Sequence, residues 1–303
     1  MKIAAITMVY QEYRMLERWY DYYGALLGHE NLFVVSHGGD DEHRRLTPRA
    51  SHIAIPRGDL SRFEGLRQQM LIHLQRSLYG YYDAVIRVDT DEFIVVDPDH
   101  HASLGDALRS TDFDSTEAWF ALGMQLFPVS EAAHHDPNAP VTQASQHVTL
   151  SSIYSKAVCC RRNIATHLHG AWYVGTGNVQ IARFKMPKGL YLLHLKYAVP
   201  SEMAEANRIR AEMSTTETGQ ADKFKTGTYW ADGDTIAQKT LADWRSYPEA
   251  SFDEEVEQAH ALLSVDMETK PPLSVKGQPS RVQVRPRPFK TLLRLPDRLI
   301  GAF

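Results

Sequence analysis

Along the first third of the chain the apolar positions switch between two periods. Lys2 to Val9 opens with a short apolar run that predicts a strand, after which Met15, Leu16, Trp19, Tyr22, Tyr23, Leu26 and Leu27 recur at helical spacing, with Gly28 as a stop. A second strand is predicted over Asn31 to Ser36, followed by the turn-forming His37-Gly38-Gly39-Asp40-Asp41, and a third over His52 to Ile55, ended by Pro56. Phe63, Leu66, Met70, Leu74 and Leu78 predict another helix, and Gly80 precedes a central strand over 83–88. Strands alternating with helices predict an α/β fold, a mostly parallel sheet flanked by helices, with ligands gathered at the carboxyl ends of the strands.

The later chain is less regular. Leu104 and Leu108 suggest a short helix, and strands are expected at Ala118 to Leu122, Ile153 to Val158, Asn178 to Phe184 and Gly189 to Leu195, in mixed directions. Ser130 to Gln146 reads as a long polar loop, and helices are expected at Pro200 to Met213, Thr235 to Trp244 and Phe252 to Leu263. This gives a catalytic-type domain over 1–200, a helical extension over 201–269 and a basic tail over 270–303.

The central strand carries the chemistry. Ala84 to Val96 is a β-branched apolar run interrupted by Asp89, Asp91 and Glu92. With a period of two, Asp89 and Asp91 face one way at the strand end and Glu92 the other. Two carboxylates facing one way repel unless a cation or proton lies between them, and oxygen ligands on a short loop suit a hard divalent ion, Mn²⁺ or Mg²⁺. An apolar strand ending Asp-x-Asp is the arrangement expected where such an ion is held against a diphosphate, and taken alone the same pattern also fits a solvated turn.

Met8-Val9-Tyr10-Gln11-Glu12 before an aromatic helix, the turn ending in Asp41, and Tyr82-Asp83-Ala84-Val85-Ile86-Arg87-Val88-Asp89-Thr90-Asp91-Glu92-Phe93 together resemble the family 2-like glycosyltransferases, in the branch whose Asp-x-Asp is followed by Glu-Phe. The resemblance covers roughly residues 1 to 200. It implies a GT-A fold, a divalent metal, a nucleotide sugar of UDP type as donor and a glycan or lipid-linked acceptor. By that resemblance the nucleotide pocket falls on Thr7, Val9, Glu12, Asp41, Arg67 and Asp89, and the metal on Asp89 and Asp91, Asp91 being the direct ligand. A histidine ending a later strand completes such a metal site; His194 fits that role best and His169 second, since neutral imidazole joins carboxylates around Mn²⁺. Ser36 stands where the family often has an Asp, and Gln11 where it often has Asn. No catalytic base is identifiable among Asp112, Asp114, Glu117, Glu131 and Asp136.

Three other readings compete. A nucleotidyltransferase acting on sugar phosphates would carry a Gly-rich basic loop after the first strand, where Tyr10-Gln11-Glu12-Tyr13-Arg14 stands. A haloacid-dehalogenase-like phosphatase would place its Asp-x-Asp after the first strand of the domain. A non-catalytic glycan-binding module suits the many Tyr and Trp residues but leaves the carboxylates unexplained.

Composition adds little to the class, at 43% hydrophobic and 23% charged, but it locates the charge. Residues 270–303 hold eight Lys or Arg against Asp297 alone, leaving a net −11 on residues 1–269, so nucleic acid is not an expected partner. Phe289, Leu292, Leu293, Leu299, Ile300 and Phe303 recur at near-helical spacing with Lys290, Arg294 and Arg298 between them, a face that could meet an anionic membrane, the protein's own domain or a second copy. Pro296 interrupts that helix, which favours docking on the domain or an oligomer contact over the membrane. The adjacent Cys159 and Cys160 form no disulfide framework and suit a reducing cytoplasm, at most with a peripheral contact at the inner face of the membrane.

Overall fold

The computed structural model describes residues 1–58, 63–130, 135–136, 139–161, 165–167, 173–175, 184–214, 232–269, 281–282 and 287–301. The chain runs β1 (Ile3–Val9), α1 (Tyr13–Leu27), β2 (Leu32–His37), α2 (Asp41–Leu46), β3 (Ser51–Ile55), α3 (Phe63–Leu78), β4 (Ala84–Arg87), β5 (Glu92–Val96), α4 (Leu104–Arg109), β6 (Ala118–Phe120) and β7 (Leu122–Phe127). It continues with α5 (Val141–Ala144), β8 (His147–Leu150), β9 (Ala157–Cys160), β10 (Ala165–His167), β11 (Tyr173–Gly175), β12 (Phe184–Lys185), β13 (Leu190–His194) and α6 (Pro200–Ser214). Beyond these lie α7 (Gly233–Arg245), β14 (Glu249–Ala250), α8 (Phe252–Thr269), β15 (Arg281–Val282) and β16 (Leu292–Arg294).

The architecture is the expected α/β arrangement, a mostly parallel sheet flanked by helices. Seven strands take the order β12-β6-β9-β4-β1-β2-β3, with β1, β2, β3 and β4 parallel and β9 antiparallel between β4 and β6. A six-stranded mixed sheet takes the order β14-β16-β8-β7-β13-β5, and β10, β11 and β15 form a small third sheet. In the first sheet the chain steps outward from β1 through β2 to β3, then returns to the other side of β1 as β4. The carboxyl ends of β1 and β4 therefore diverge at a topological switch point, where open α/β sheets form a crevice.

β1 is buried on both faces, as a central parallel strand must be. Ile3, Ala5 and Val9 face the main core with Leu16, Trp19 and Tyr23 of α1, while Ala4, Ile6 and Met8 face Leu71 and Leu78 of α3. β5 is an edge strand, and α1 covers that edge with two tyrosines. Tyr22 Oη donates to the Ile94 carbonyl at 2.6 Å, and Tyr23 Oη donates to the Glu92 carbonyl at 3.0 Å and accepts from the Ile94 N–H at 3.0 Å.

Several expectations are corrected. The run 84–96 is two strands in two sheets, so the carboxylates form the crossing between sheets and strand alternation does not carry through them. The strand expected at 153–158 begins at Ala157, because residues 152–154 form a turn pressed onto Gly123. A Cβ at Gly123 would stand 2.3 Å from the Tyr154 carbonyl carbon, so only glycine fits there. Residues 178–183 of another expected strand, Glu131, His169 and Phe303 lie outside the described residues.

The tail is not helical from Phe289. β16 inserts between β14 and β8, pairing Leu293 with Val148, and Leu292, Leu293, Leu295 and Leu299 are buried. The apolar residues whose spacing suggested a membrane face belong to the core, with Pro296 ending any helix before it forms. Among the described residues no helix is long and apolar enough to cross a membrane. Arg298 fastens the end: its Nε and Nη2 donate to Asp97 at 2.9 and 3.1 Å, Nη2 also pairs with Asp253, and Tyr191 Oη donates to Asp97 at 3.2 Å. Burial opposes ionisation of Asp97, but the hydrogen bonds from Arg298 and the Asp99 N–H prevail and hold its carboxyl below the usual range. A depressed carboxyl stabilises the fold fully above the unfolded value near pH 4 and loses that stabilisation as pH falls through the folded value. Arg298→Met should lower stability by about 1–3 kcal/mol at pH 7, with the difference shrinking toward pH 2. Urea midpoints across that range check this, and equal midpoints at pH 7 would refute the anchor.

Candidate active site

Three segments meet at the switch point. The turn after β4 brings Asp89, Thr90, Asp91 and Glu92; the turn after β1 brings Gln11 and Glu12; and β13 ends on His194. Gln11 and Glu12 hold φ of 55° and 50°, a left-handed conformation that costs energy for residues with a Cβ and that concentrates at functional sites. That conformation turns Glu12 onto the β4 loop, where Thr90 Oγ1 donates to Glu12 Oε2 at 2.9 Å. Arg210 of α6 donates to Glu12 Oε1 at 3.0 Å. Burial raises the Glu12 carboxyl against the opposing pull of Arg210.

His194 is placed by register. In the second sheet it lies opposite Glu92 on β5 and opposite Gln125 on β7, so all three side chains share a face. Gln125 presents its carbonyl oxygen to His194 Nδ1 at 2.7 Å, which puts the ring hydrogen on Nδ1. Tyr154 stacks on the imidazole with centroids 3.9 Å apart. Burial keeps His194 neutral, outweighing the pull of Asp91 toward the charged form. Nε2 stands 3.2 Å from Asp91 Oδ2, so a proton on that nitrogen is shared with the carboxylate. Burial raises the Asp91 carboxyl, but His194 when protonated, with Arg210 and Lys156, lowers it well below the usual range, so it is a carboxylate at neutral pH.

Among the described residues, one group of three has ligand atoms all within 4.8 Å of one another: Asp91, Glu92 and His194. A carboxylate facing a neutral imidazole whose other nitrogen donates to a fixed oxygen is a donor set suited to a divalent cation. Glu92 differs from the other two in being engaged already. Lys156 Nζ pairs with its Oε1, both side chains 1% exposed, and its Oε2 accepts the Asp89 N–H at 3.3 Å. Burial nevertheless pushes the Glu92 carboxyl up, against Lys156.

The residues singled out from sequence separate here. Asp91 and His194 come together as expected. Asp89 stands outside their group, half-buried and paired with Arg67 of α3, so these two expected nucleotide contacts meet each other. Glu12 joins the carboxylate turn through Thr90. Thr7 and Val9 are buried in β1, Val9 in the main core and Thr7 with an Oγ1 that has no hydrogen-bond partner. Asp41 is exposed in the first turn of α2, away from the cluster's hydrogen bonds, while Asp40 caps that helix by accepting the Glu42 N–H. Lys156, Gln125 and Arg210 were not singled out for the site. Arg210 carries no local signal at all, since only the packing of α6 against the β1 turn brings it there.

A cavity of about 410 Å³ opens between this cluster, the start of α1 and α6, with Glu12, Asp91, Lys196 and Arg210 among its lining. No protein-family model and no curated protein matches the chain. Among solved structures, mannose-1-phosphate geranyltransferase from Thermus thermophilus aligns over 97% of this chain and 74% of its own at 12% identity and a TM-score of 0.28. A mycobacterial protein aligns over 44% of each chain at 18% identity and a TM-score of 0.28. CMP:2-keto-3-deoxy-manno-octonic acid synthetase, complexed with CTP, aligns over 80% of this chain and 98% of its own at 11% identity and a TM-score of 0.28. Superpositions that low carry no argument about this chain's chemistry. The class therefore rests on the chain itself: a mixed α/β protein with a buried carboxylate and histidine cluster at the switch point of a mostly parallel sheet.

Proposed function

We propose that the protein is a divalent-metal-dependent glycosyltransferase that moves a sugar from a nucleotide diphosphate to a hydroxyl of a glycan or lipid-linked acceptor. The observation that carries this reading is Asp91 Oδ2 and His194 Nε2 standing 3.2 Å apart, with His194 anchored through Nδ1 on Gln125, at the crossing between two sheets. Asp91 and His194 would hold the ion. When bound, it would neutralise charge on a departing diphosphate. The chain's own groups do the rest. Lys156 and the Asp89 N–H fix Glu92 as a brace that keeps the turn in shape. Arg67 holds Asp89 toward the donor side, and Thr90 and Arg210 orient Glu12 against the cluster.

A nucleotidyltransferase acting on sugar phosphates is the second reading, and the names of two of the solved structures, which contain a sugar phosphate and a nucleotide, fit it. Against it stands the turn after β1, which presents Glu12 to the cluster where that class needs a Gly-rich basic loop. A thermal-shift screen of UDP, GDP, CDP and ADP with and without Mn²⁺ tests both. One nucleotide should raise the melting temperature only with metal present, by the equivalent of about 2.7 kcal/mol at a hundredfold excess over Kd. Release of nucleoside diphosphate from the matching nucleotide sugar supports glycosyl transfer, whereas pyrophosphate release from a nucleoside triphosphate and a sugar phosphate would replace it with the second reading. No shift with any nucleotide would sink both.

A further inference from the structure

The cavity beside the carboxylate turn divides into an apolar wall and a polar end. Met15 of α1 and Val199, Met203 and Ile209 at α6 form the wall, and its volume of about 410 Å³ lies in the range of small-molecule sites. Most of the charges around it are held in pairs. Glu12 is held by Arg210 and Thr90, Glu202 by both terminal guanidinium nitrogens of Arg18, and Glu205 by Arg208. Asp91 faces the neutral His194 and shares Arg210 with Glu12, at 4.0 Å. Lys196 lines the same cavity and makes no ion pair or hydrogen bond with any described residue; the charges of Asp91 and Glu12 reach it without contact, and its one polar contact is with the face of the Tyr197 ring, 5.2 Å away. A half-buried ammonium with no hydrogen-bond acceptor is costly, and a divalent cation on Asp91 and His194 would take up carboxylate charge that now balances it. What Lys196 lacks is an acceptor in contact, and what the cavity offers beside it is apolar surface.

We propose that this cavity is the acceptor subsite and takes an anionic amphiphile, with the anionic group paired to Lys196 and the apolar chain against Met15, Met203 and Ile209. The inference rests on the transferase reading of Asp91 and His194, and its test is independent of that reading. Binding of n-octyl phosphate, n-octyl glucoside and inorganic phosphate is measured by calorimetry on the whole protein, below micelle-forming concentrations and with no metal added. Octyl phosphate should bind at least about tenfold more tightly than either of the others, the size of one hydrogen bond to a charged group. Lys196→Met should erase the preference over octyl glucoside, Lys196→Arg should keep it, and Met203→Asp should weaken both octyl ligands together. Equal binding of the two octyl compounds, or a preference that survives Lys196→Met, would overturn the subsite. Octyl phosphate bound no more tightly than inorganic phosphate would overturn the apolar half, assigning the site to free phosphates. Asp91→Asn separates the two levels: it should remove the metal-dependent nucleotide response and leave the octyl phosphate preference intact. A protein that shows the preference but answers to no nucleotide would refute the acceptor role along with the transferase reading.

Discussion

Lys156→Met should destabilise the protein by about 3–5 kcal/mol at pH 9, the cost of leaving a buried carboxylate without its cation. Both side chains of the Lys156–Glu92 pair are 1% exposed, so neither water nor salt screens the loss. Replacing both partners, as Lys156→Met with Glu92→Gln, should recover most of it, because the penalty lies in the orphaned charge more than in the missing pair. The pH dependence has a defined sign. Burial raises the Glu92 carboxyl above its unfolded value, so the native state binds the extra proton and stability falls as pH rises between the two values. Removing Lys156 takes away the main opposing influence and raises that carboxyl further. Glu92 is protonated in both proteins up to about pH 8, so the variant's deficit should be the same at pH 5 and pH 7 and grow as pH rises above about 8. Urea denaturation in chelator-containing buffer at pH 5, 7 and 9 measures this. A loss below about 1 kcal/mol at pH 9 would show that Glu92 already reaches water or another cation.

The largest effect on activity is expected from Asp91→Asn. The substitution keeps the shape but removes a carboxylate that the fold holds well below its usual range, so the protein should stay folded with a lower urea midpoint at pH 7, while metal-dependent turnover falls by a factor of about 10²–10³ or more, as when one preorganised electrostatic contact is removed. His194→Ala should lower the apparent Mn²⁺ affinity in parallel, since Asp91 is then left as the lone ligand of the facing pair. Nucleoside diphosphate release, assayed over a Mn²⁺ series, checks both. Full turnover in Asp91→Asn at every metal concentration would remove the proposed site. Asp89→Asn provides the contrast: its carboxylate is held by Arg67 outside the group of Asp91, Glu92 and His194, so its effect should fall on donor affinity more than on metal affinity.

Much of this was legible in the residues. The period of Leu16, Trp19 and Tyr23 gave α1, the short apolar runs gave β1, β2, β3 and β4, and their alternation with helices placed the strand ends on one edge. Three carboxylates ending a buried strand were enough to mark Asp89 and Asp91 as a cation-seeking pair, and the family resemblance added His194 at the end of a late strand. The tail shows where periodicity misleads: Leu292, Leu293 and Leu299 fit a helical face, yet two adjacent leucines before Pro296 serve equally well as a short strand when a sheet edge is waiting for them. Glu92 shows the same limit, since alternation would have turned it away had the strand not ended at Arg87 and restarted in another sheet.

What the sequence alone determined is therefore local: which segments are helix or strand, which strand end gathers carboxylates, and that such a gathering calls for a cation. What only the tertiary structure decided is pairing at a distance. Lys156 stands 64 residues from Glu92 and Arg210 stands 198 residues from Glu12. Asp89 went to Arg67, Glu92 to Lys156, and Asp91 was left facing His194. A charge's partner is set by which groups burial brings within a few ångströms, and in a low-dielectric interior that proximity outweighs anything the neighbouring residues can specify.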